Sequence, residues 1–142
     1  DVKVGSEAPD FTLRDSKGNS FNLSDFENEK VVVLEFMNMG CGSCHSFEKD
    51  VLKSYCNSTT MPEDVEVISL TQTEDVSQED LEERAEGKNW AYVFGSEEMT
   101  DAFGADRSPS IVIIDKDGIV TFSESGPMTE SELKEKVDEA LE

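Results

Sequence analysis

Residues 31–44 read VVVLEFMNMGCGSC, and this stretch predicts most of the fold. Apart from Glu35, its first seven residues are apolar on both faces of an extended chain, which is typical of a central strand covered by helices on both sides. Cys41 and Cys44 follow directly, at the start of a helix predicted from about Cys41 to Tyr55. In open α/β sheets, reactive groups collect at this carboxyl end of the strands. The stretch therefore predicts an α/β domain with a reactive site behind its central strand.

The two cysteines belong to the pattern Cys-x-x-Cys-His, which ends at His45. This pattern either attaches haem covalently or supplies the dithiol of a thiol–disulfide oxidoreductase. Haem would need His45 as one axial ligand and Met99 or Met128 as the other. A mostly helical haem protein disagrees with the α/β pattern, so the dithiol is favoured. His45 is then expected to be an exposed residue of the first helical turn; the alternative is that it tunes the Cys41 thiolate.

The remaining segments supply a mixed sheet with helices on its faces. An N-terminal β-hairpin is predicted in FTLRD and SFNL, a buried strand in VEVISLT, a second hairpin in SIVIIDKDGIVTF, and a helix after Thr129. Ser24 and Glu27 are predicted to form the capping box of a short helix. The acidic helix at 77–87 is expected to be a solvated surface, and Trp90 a core aromatic residue. One domain, residues 1–142, accounts for the whole chain.

The charge of the chain excludes several classes of partner. The net charge is −21, from 33 acidic and 12 basic residues spread along the 142 residues. Nucleic acids and anionic membrane surfaces would be repelled. Acidic residues that are spread in this way favour a halophilic origin over a single binding patch, because molar salt screens their repulsion and carboxylates keep the surface hydrated.

The positions of the two cysteines suggest different roles. A helix N-terminus carries partial positive charge, which favours thiolate over thiol. On a helical wheel Cys44 shares a stripe with Phe47, Val51 and Tyr55, so it faces the core, whereas Cys41 at the tip is exposed. This asymmetry suits an attacking thiol and a shielded resolving thiol.

Two further residues are candidates for the site. Glu35 interrupts the apolar strand six residues before Cys41, where it could exchange a proton with Cys44 from below; the alternative is a carboxylate on a less covered, solvated face. Pro109 precedes an apolar strand, where it marks the first residue of the strand and where a cis bond after Ser108 would be tolerated.

Together these segments resemble the thioredoxin superfamily, specifically its TlpA/ResA-like branch of redoxin-like (AhpC/TSA-like) domains with an extra N-terminal hairpin. GSEAPDFTLRDSKGNSFNLSDF is similar to the entry segment of that branch, VVVLEFMNMGCGSC to its strand and redox motif, and FGADRSPSIVIIDKDGIV to its segment around a cis-proline. Glu35 falls where thioredoxins keep a buried acid.

The resemblance implies a thioredoxin-like fold and a thiol–disulfide oxidoreductase that acts on protein disulfides. Cys41 would attack, Cys44 would resolve with help from Glu35, and Pro109 with the Ser108 backbone would hold the substrate strand. It implies a location outside the cytoplasmic membrane, where a membrane thiol donor restores the dithiol. We also expect a monomer that needs no cofactor and no metal. The sequence begins at Asp1, so we expect a signal or anchor segment to lie outside it; a cytoplasmic location stays open.

The motif also departs from the family pattern. Gly40 stands where the family usually has tryptophan, and within the motif Gly42 is followed by Ser43 in place of a frequent proline. Phe47 stands where membrane-associated members often have glutamate, and Glu48 comes one position later, so no catalytic role is assigned to Glu48.

Two other functions are weighed against the oxidoreductase. A peroxiredoxin-like peroxidase would share the opening segment, and its reactive cysteine would correspond to Cys44. Such enzymes have threonine three residues before that cysteine, and this position is Cys41 here. The other is a non-catalytic or haem-carrying module that uses the Cys-x-x-Cys-His motif. A zinc site would have to include Cys56 among its four ligands. A regular helix places Cys56 about 18 Å from Cys44, which is too far for both to bind one ion.

The halophilic interpretation predicts a fold that weakens as salt is diluted. Carboxylate repulsion is screened within about 3 Å in molar salt and over about 10 Å at 0.1 M. We expect the urea midpoint of unfolding to fall steadily between molar and millimolar sodium chloride. A midpoint that stays constant over this range would contradict a halophilic origin.

Overall fold

The computed structural model describes residues 2–142. In chain order the elements are β1 (Thr12–Asp15), β2 (Ser20–Asn22), a 3-10 helix (Leu23–Phe26), β3 (Val31–Met37), α1 (Gly42–Phe47), a π-helical turn (Glu48–Leu52), α2 (Lys53–Asn57), β4 (Val65–Thr71), α3 (Gln78–Ala85), β5 (Ala91–Phe94), α4 (Glu97–Phe103), β6 (Ser110–Ile114), β7 (Val120–Ser125) and α5 (Glu130–Leu141).

One mixed sheet of seven strands, in the order β2-β1-β5-β4-β3-β6-β7, organises the described residues. Strands β3, β4 and β5 run parallel, while β6 pairs antiparallel with β3 and β1 pairs antiparallel with β5. The predicted α/β class, the mixed sheet and the N-terminal hairpin are therefore confirmed. Strand β5, with the sequence AYVF, was not predicted, because only four residues form it and it follows the half-buried Trp90.

Strand β3 is buried along its whole length because helices cover both faces of the sheet. Side chains alternate between the faces. Val32, Leu34 and Phe36 pack on the side of α4, and Val31 and Val33 pack on the side of α5 and the α1–α2 segment. Burying a side chain of this kind contributes about 1.5–3 kcal/mol. The same alternation places Glu35 on the face of Val31 and Val33, beneath the helix that carries the cysteines.

The helix after the motif differs in detail from the prediction. It extends to Asn57 and contains a π-helical turn at Glu48–Leu52. This turn adds a residue to the helical period. As a result Leu52 is fully buried and Val51, which the helical wheel placed on the buried stripe, is only half-buried.

Two smaller expectations were wrong. The short helix after β2 is capped by Asn22 and Asp25, not by Ser24 and Glu27, because the helix begins at Leu23. The helix predicted at 77–87 is not merely a solvated surface, since it buries Leu81 and Arg84 against the sheet.

Within residues 2–142, the structure has no helix with the length and hydrophobicity that crossing a bilayer requires.

Candidate active site

The two cysteines lie where β3 gives way to α1. The chain turns after Met37, and the turn is held by Asn38, whose side chain accepts the Gly40 N–H at 2.9 Å and whose carbonyl accepts the Cys41 N–H at 3.0 Å. Cys41 is the N-cap of α1, and its sulfur accepts the backbone N–H of Cys44 at 3.0 Å. The N–H groups that a helix leaves without partners therefore face the Cys41 sulfur.

Cys41 and Cys44 form a disulfide, with their Cα atoms 5.3 Å apart. Cys44 is fully buried and packs with Met37, Leu81 and Tyr92, whereas Cys41 is half-buried at the helix tip. This is the asymmetry that the helical wheel predicted. His45 is exposed, and Cys56 lies half-buried away from the motif, where burial raises the pKa of its thiol to about 12.

Pro109 lies at the same edge of the sheet as the disulfide. Ser110 opposes Phe36 in the antiparallel pairing of β6 with β3, so Ser108 and Pro109 come level with the end of β3. The Ser108–Pro109 peptide bond is cis.

Gln72 ties the two loops of the site together. Its backbone N–H donates to the carbonyl of Met37 at 2.9 Å, next to the turn before Cys41. Its side-chain amide donates to the carbonyls of Ala105 and Arg107, at 2.8 and 3.0 Å, in the loop that leads to Pro109. No signal in the sequence pointed to Gln72, because its contacts form only where the two loops become neighbours in the fold.

Glu35 is fully buried beneath the motif. Its neighbours across the sheet are Ser69 on β4 and Ile111 on β6. The Ser69 hydroxyl donates to Oε1 of Glu35 at 2.6 Å and accepts a hydrogen bond from the Trp90 indole at 2.9 Å. Burial, together with the nearby Glu48, raises the pKa of Glu35 well above its usual value. The alternative of a solvated Glu35 is therefore wrong for this structure.

Glu48, for which the sequence analysis predicted no role, is also fully buried and is held by three donated hydrogen bonds. Arg84 donates from Nε to Oε1 at 2.8 Å and from Nη2 to Oε2 at 3.0 Å, and the Tyr92 hydroxyl donates to Oε1 at 2.6 Å. Burial opposes the ionisation of Glu48, but the hydrogen bonds from Arg84 and Tyr92 and the positive charge of Arg84 outweigh it, so the pKa of Glu48 is lowered.

Arg84 connects this buried cluster to the redox motif. Its Nη1 donates to the carbonyl of Met39, two residues before Cys41, at 3.3 Å. Both side chains of the Arg84–Glu48 ion pair are almost without exposure, and removing one partner of such a pair costs about 3–5 kcal/mol. The sequence contained one signal for Glu48: it follows Cys44 by four residues, so both lie on one helix face. Arg84 gave no such signal, since its helix is otherwise acidic.

A half-exposed cysteine at a helix start, a buried partner three residues later and a neighbouring cis-proline on a mixed sheet define a thioredoxin-fold thiol–disulfide oxidoreductase. The comparisons with known proteins agree. The chain belongs to the redoxin family, whose model matches residues 3–141.

Several relatives and solved structures are similar to the chain over most of its length. The thiol–disulfide oxidoreductase ResA of Geobacillus thermodenitrificans is 30% identical over 142 residues, which cover 96% of this chain and 78% of the relative. ResA of Bacillus thuringiensis subsp. konkukian is 29% identical over 138 residues, covering 94% and 76%. The thioredoxin domain of a thiol–disulfide oxidoreductase from Bacteroides vulgatus has a TM-score of 0.78 at 25% identity, covering 96% and 99% of the two chains.

A solved structure described as a thiol:disulfide interchange protein DsbE from Chlorobium tepidum has the same fold. Its TM-score is 0.82 at 21% identity, with both chains covered completely. The TlpA/ResA-like resemblance and the thioredoxin-like fold predicted from the sequence are thus confirmed.

The raised pKa of Glu35 makes stability depend on pH in a defined direction. The unfolded carboxyl loses its proton near pH 4.5, while the folded one keeps it to higher pH, so the folded state binds more protons and loses stability as pH rises through this interval. Glu35→Gln removes this loss. We therefore expect its unfolding free energy, relative to the parent protein, to rise steadily above about pH 4.5 in urea titrations at constant salt.

Glu66→Gln is the matched control, since it also turns a carboxyl into an amide, on the neighbouring strand β4 but with partial exposure. If the difference in unfolding free energy between Glu35→Gln and the parent protein does not change with pH, Glu35 has the same proton affinity in the folded and unfolded states.

Proposed function

We propose that this domain reduces disulfides in proteins by exchanging them with its Cys41–Cys44 dithiol. The observation that carries the proposal is the half-exposed Cys41 at the start of α1, bonded to a fully buried Cys44 three residues later. A substrate disulfide can reach the first sulfur and not the second, so the order of attack follows from access.

The proposed cycle starts with the reduced protein. The Cys41 thiolate attacks one sulfur of the substrate disulfide, and the other substrate sulfur leaves as a thiolate and takes a proton from solvent. Cys44 then transfers its proton to the Glu35 carboxylate, and its thiolate attacks the Cys41 sulfur of the mixed disulfide. The second substrate sulfur leaves and is protonated, so the substrate gains two electrons and the protein ends as the Cys41–Cys44 disulfide.

Ser108 and Pro109 are proposed to bind the substrate strand. They lie at the same end of the sheet as Cys41, and Gln72 ties their loop to the turn before the motif. Gly42 and Ser43 complete the motif between the cysteines, with the Ser43 hydroxyl 3.4 Å from the Cys41 sulfur.

We infer that the domain works as a reductant outside the cytoplasmic membrane, anchored or exported, and receives its electrons from a membrane thiol donor. This assignment is supported by the TlpA/ResA-like resemblance. The direction of electron flow is tested by the reduction potential of the Cys41–Cys44 couple, measured in high salt against glutathione. A reductant requires a potential below the roughly −180 to −230 mV of disulfide isomerases and glutaredoxins, and a value near −120 mV would identify an oxidant instead.

The division of labour between the thiols gives a direct test. In the reduced protein we expect iodoacetamide to modify Cys41 before Cys44 or Cys56, because only Cys41 is at an accessible helix tip. Cys44→Ser should accumulate mixed disulfides with substrate proteins, because the resolving thiol is missing. Cys41→Ser is the matched control and should trap few. Equal alkylation of all three thiols, or equal trapping by both variants, would contradict the proposed roles.

The role of Glu35 is tested on the resolution step alone. Glu35→Gln should form the mixed disulfide at a near-normal rate, while resolution by Cys44 should slow by roughly one to three orders of magnitude at neutral pH. The deficit should shrink as pH rises, because a higher pH favours the Cys44 thiolate without the help of a base. Rapid-quench alkylation separates the two steps. If Glu35→Gln resolves the mixed disulfide as fast as the parent protein at every pH, Glu35 has a structural role only.

A further inference from the structure

Two buried carboxyl groups meet beneath the redox motif. Glu35 on β3 and Glu48 in the π-helical turn are both without exposure. Glu35 pairs with Ser69 on β4, Ser69 pairs with Tyr92 on β5, and the Tyr92 hydroxyl donates to Glu48, so the two carboxyl groups face each other beneath the helix. Two ionised carboxylates can only accept hydrogen bonds, so a bond between them requires a proton on one. Oε2 of Glu35 is buried and receives no donor from the described residues, which leaves it as the oxygen that needs a hydrogen.

The donors around the pair determine which group carries the proton. Glu48 accepts three hydrogen bonds, two from Arg84 and one from Tyr92, and all of them favour its ionised form. Glu35 accepts one, from the neutral hydroxyl of Ser69. A proton on Oε2 of Glu35 that is directed at Glu48 gives both carboxyl groups a hydrogen-bond partner. A proton on Glu48 instead would remove the negative charge that pairs with Arg84.

We propose that Glu35 and Glu48 form a buried carboxyl pair that holds one proton, and that Glu48 is a positioning residue that keeps this proton on Glu35. The use of the proton by Cys44 rests on the proposed function, but the sharing of the proton does not. Like charges at close range cannot both ionise cheaply in an apolar site, so the anion of Glu48 increases the proton affinity of Glu35.

The pair would supply a proton at the step that needs one inside the protein. When a thiolate of a dithiol donor attacks the Cys41 sulfur, the Cys41–Cys44 bond breaks and Cys44 leaves as a thiolate among Met37, Leu81 and Tyr92. The two electrons come from the donor. The proton moves from Glu35 to the Cys44 sulfur, and the second thiol of the donor then displaces Cys41 as a thiolate, so the donor ends as a disulfide. The ionised Glu35 recovers its proton from Cys44 when Cys44 resolves the next mixed disulfide, so the pair holds one proton in the oxidised protein.

Other charged groups face the cluster from the surrounding elements. Arg84 comes from α3, and Lys88, beyond α3, donates to the carbonyl of Arg84 at 2.6 Å. Lys53 from α2 lies near Lys88, and burial lowers the pKa of Lys88. These cations all favour ionised carboxyl groups. A proton retained by Glu35 therefore depends on desolvation and on the charge of Glu48, and the second of these can be removed by a single substitution.

The test is a pH titration of the side-chain carboxyl carbon of Glu35 by NMR, in oxidised protein with labelled glutamate, where Cys41 and Cys44 do not titrate. The Glu35 signal is assigned from its loss in Glu35→Gln. In Glu48→Gln the proton affinity of Glu35 should fall at least about tenfold, which is one pKa unit. Asp50→Asn removes an exposed charge two residues further along the helix and should leave the Glu35 titration unchanged.

Tyr92→Phe separates the charge of Glu48 from general loosening of the site. It removes one hydrogen bond to Glu48 but keeps the charge, so the pKa of Glu35 should stay at least as high as in the parent protein. If Glu48→Gln fails to fold with Arg84 unpaired, the double variant Glu48→Gln/Arg84→Met removes both charges and should lower the pKa of Glu35 by a smaller amount. A Glu35 titration that is unchanged without Glu48, or lowered equally in Tyr92→Phe, overturns the carboxyl pair.

The kinetic result distinguishes this proposal from the proposed role of Glu35. A lowered pKa of Glu35 in Glu48→Gln together with a normal resolution rate in Glu35→Gln would support the pair and reject Glu35 as the base for Cys44. Slow resolution in Glu35→Gln together with an unchanged Glu35 titration in Glu48→Gln would reject the pair and support the base.

Discussion

Glu35 lies in the middle of β3 with no exposure to solvent, between Ser69 on one neighbouring strand and Ile111 on the other. An ionised carboxylate in such surroundings is costly unless it is paired, so the group keeps its proton to higher pH than an exposed glutamate. The raised pKa of Glu35 depends first on this desolvation. It requires helices on both faces of β3, and the α1–α2 segment that covers Glu35 is also the segment that presents Cys41 and Cys44.

The interior charges of the protein are concentrated at this one place. Among residues 2–142, the buried charged side chains are Glu35, Glu48 and Arg84, and all three belong to the same cluster. The surface carries almost all of the 33 acidic residues, where solvent and salt screen them. The three interior charges lack that screening, so they interact with one another more strongly than charges at the surface do.

The redox motif and the proline loop are tied to each other by neutral contacts. Gln72 follows β4 and reaches both the end of β3 and the loop before Pro109 through hydrogen bonds to backbone carbonyls. Such bonds do not depend on which side chains the loops carry. Carbonyl contacts thus hold the reacting segments in register, while the buried carboxyl groups and Arg84 form a separate charged cluster beneath the motif.

The sequence by itself determined the α/β class, the central strand, the placement of Cys41 and Cys44 and the position of Glu35 within an apolar run. These features are local, because they follow from residue alternation along a strand and from the start of a helix. Strand β5 could not be predicted, since its four residues become a strand only by pairing with β4 and β1. Arg84 lies in a helix that is acidic elsewhere, and Glu48 lies one position beyond the family pattern. Only the packing of α3 and β5 against the π-helical turn brings Arg84 and Tyr92 to Glu48, because buried charges find their partners across elements that are distant in the chain.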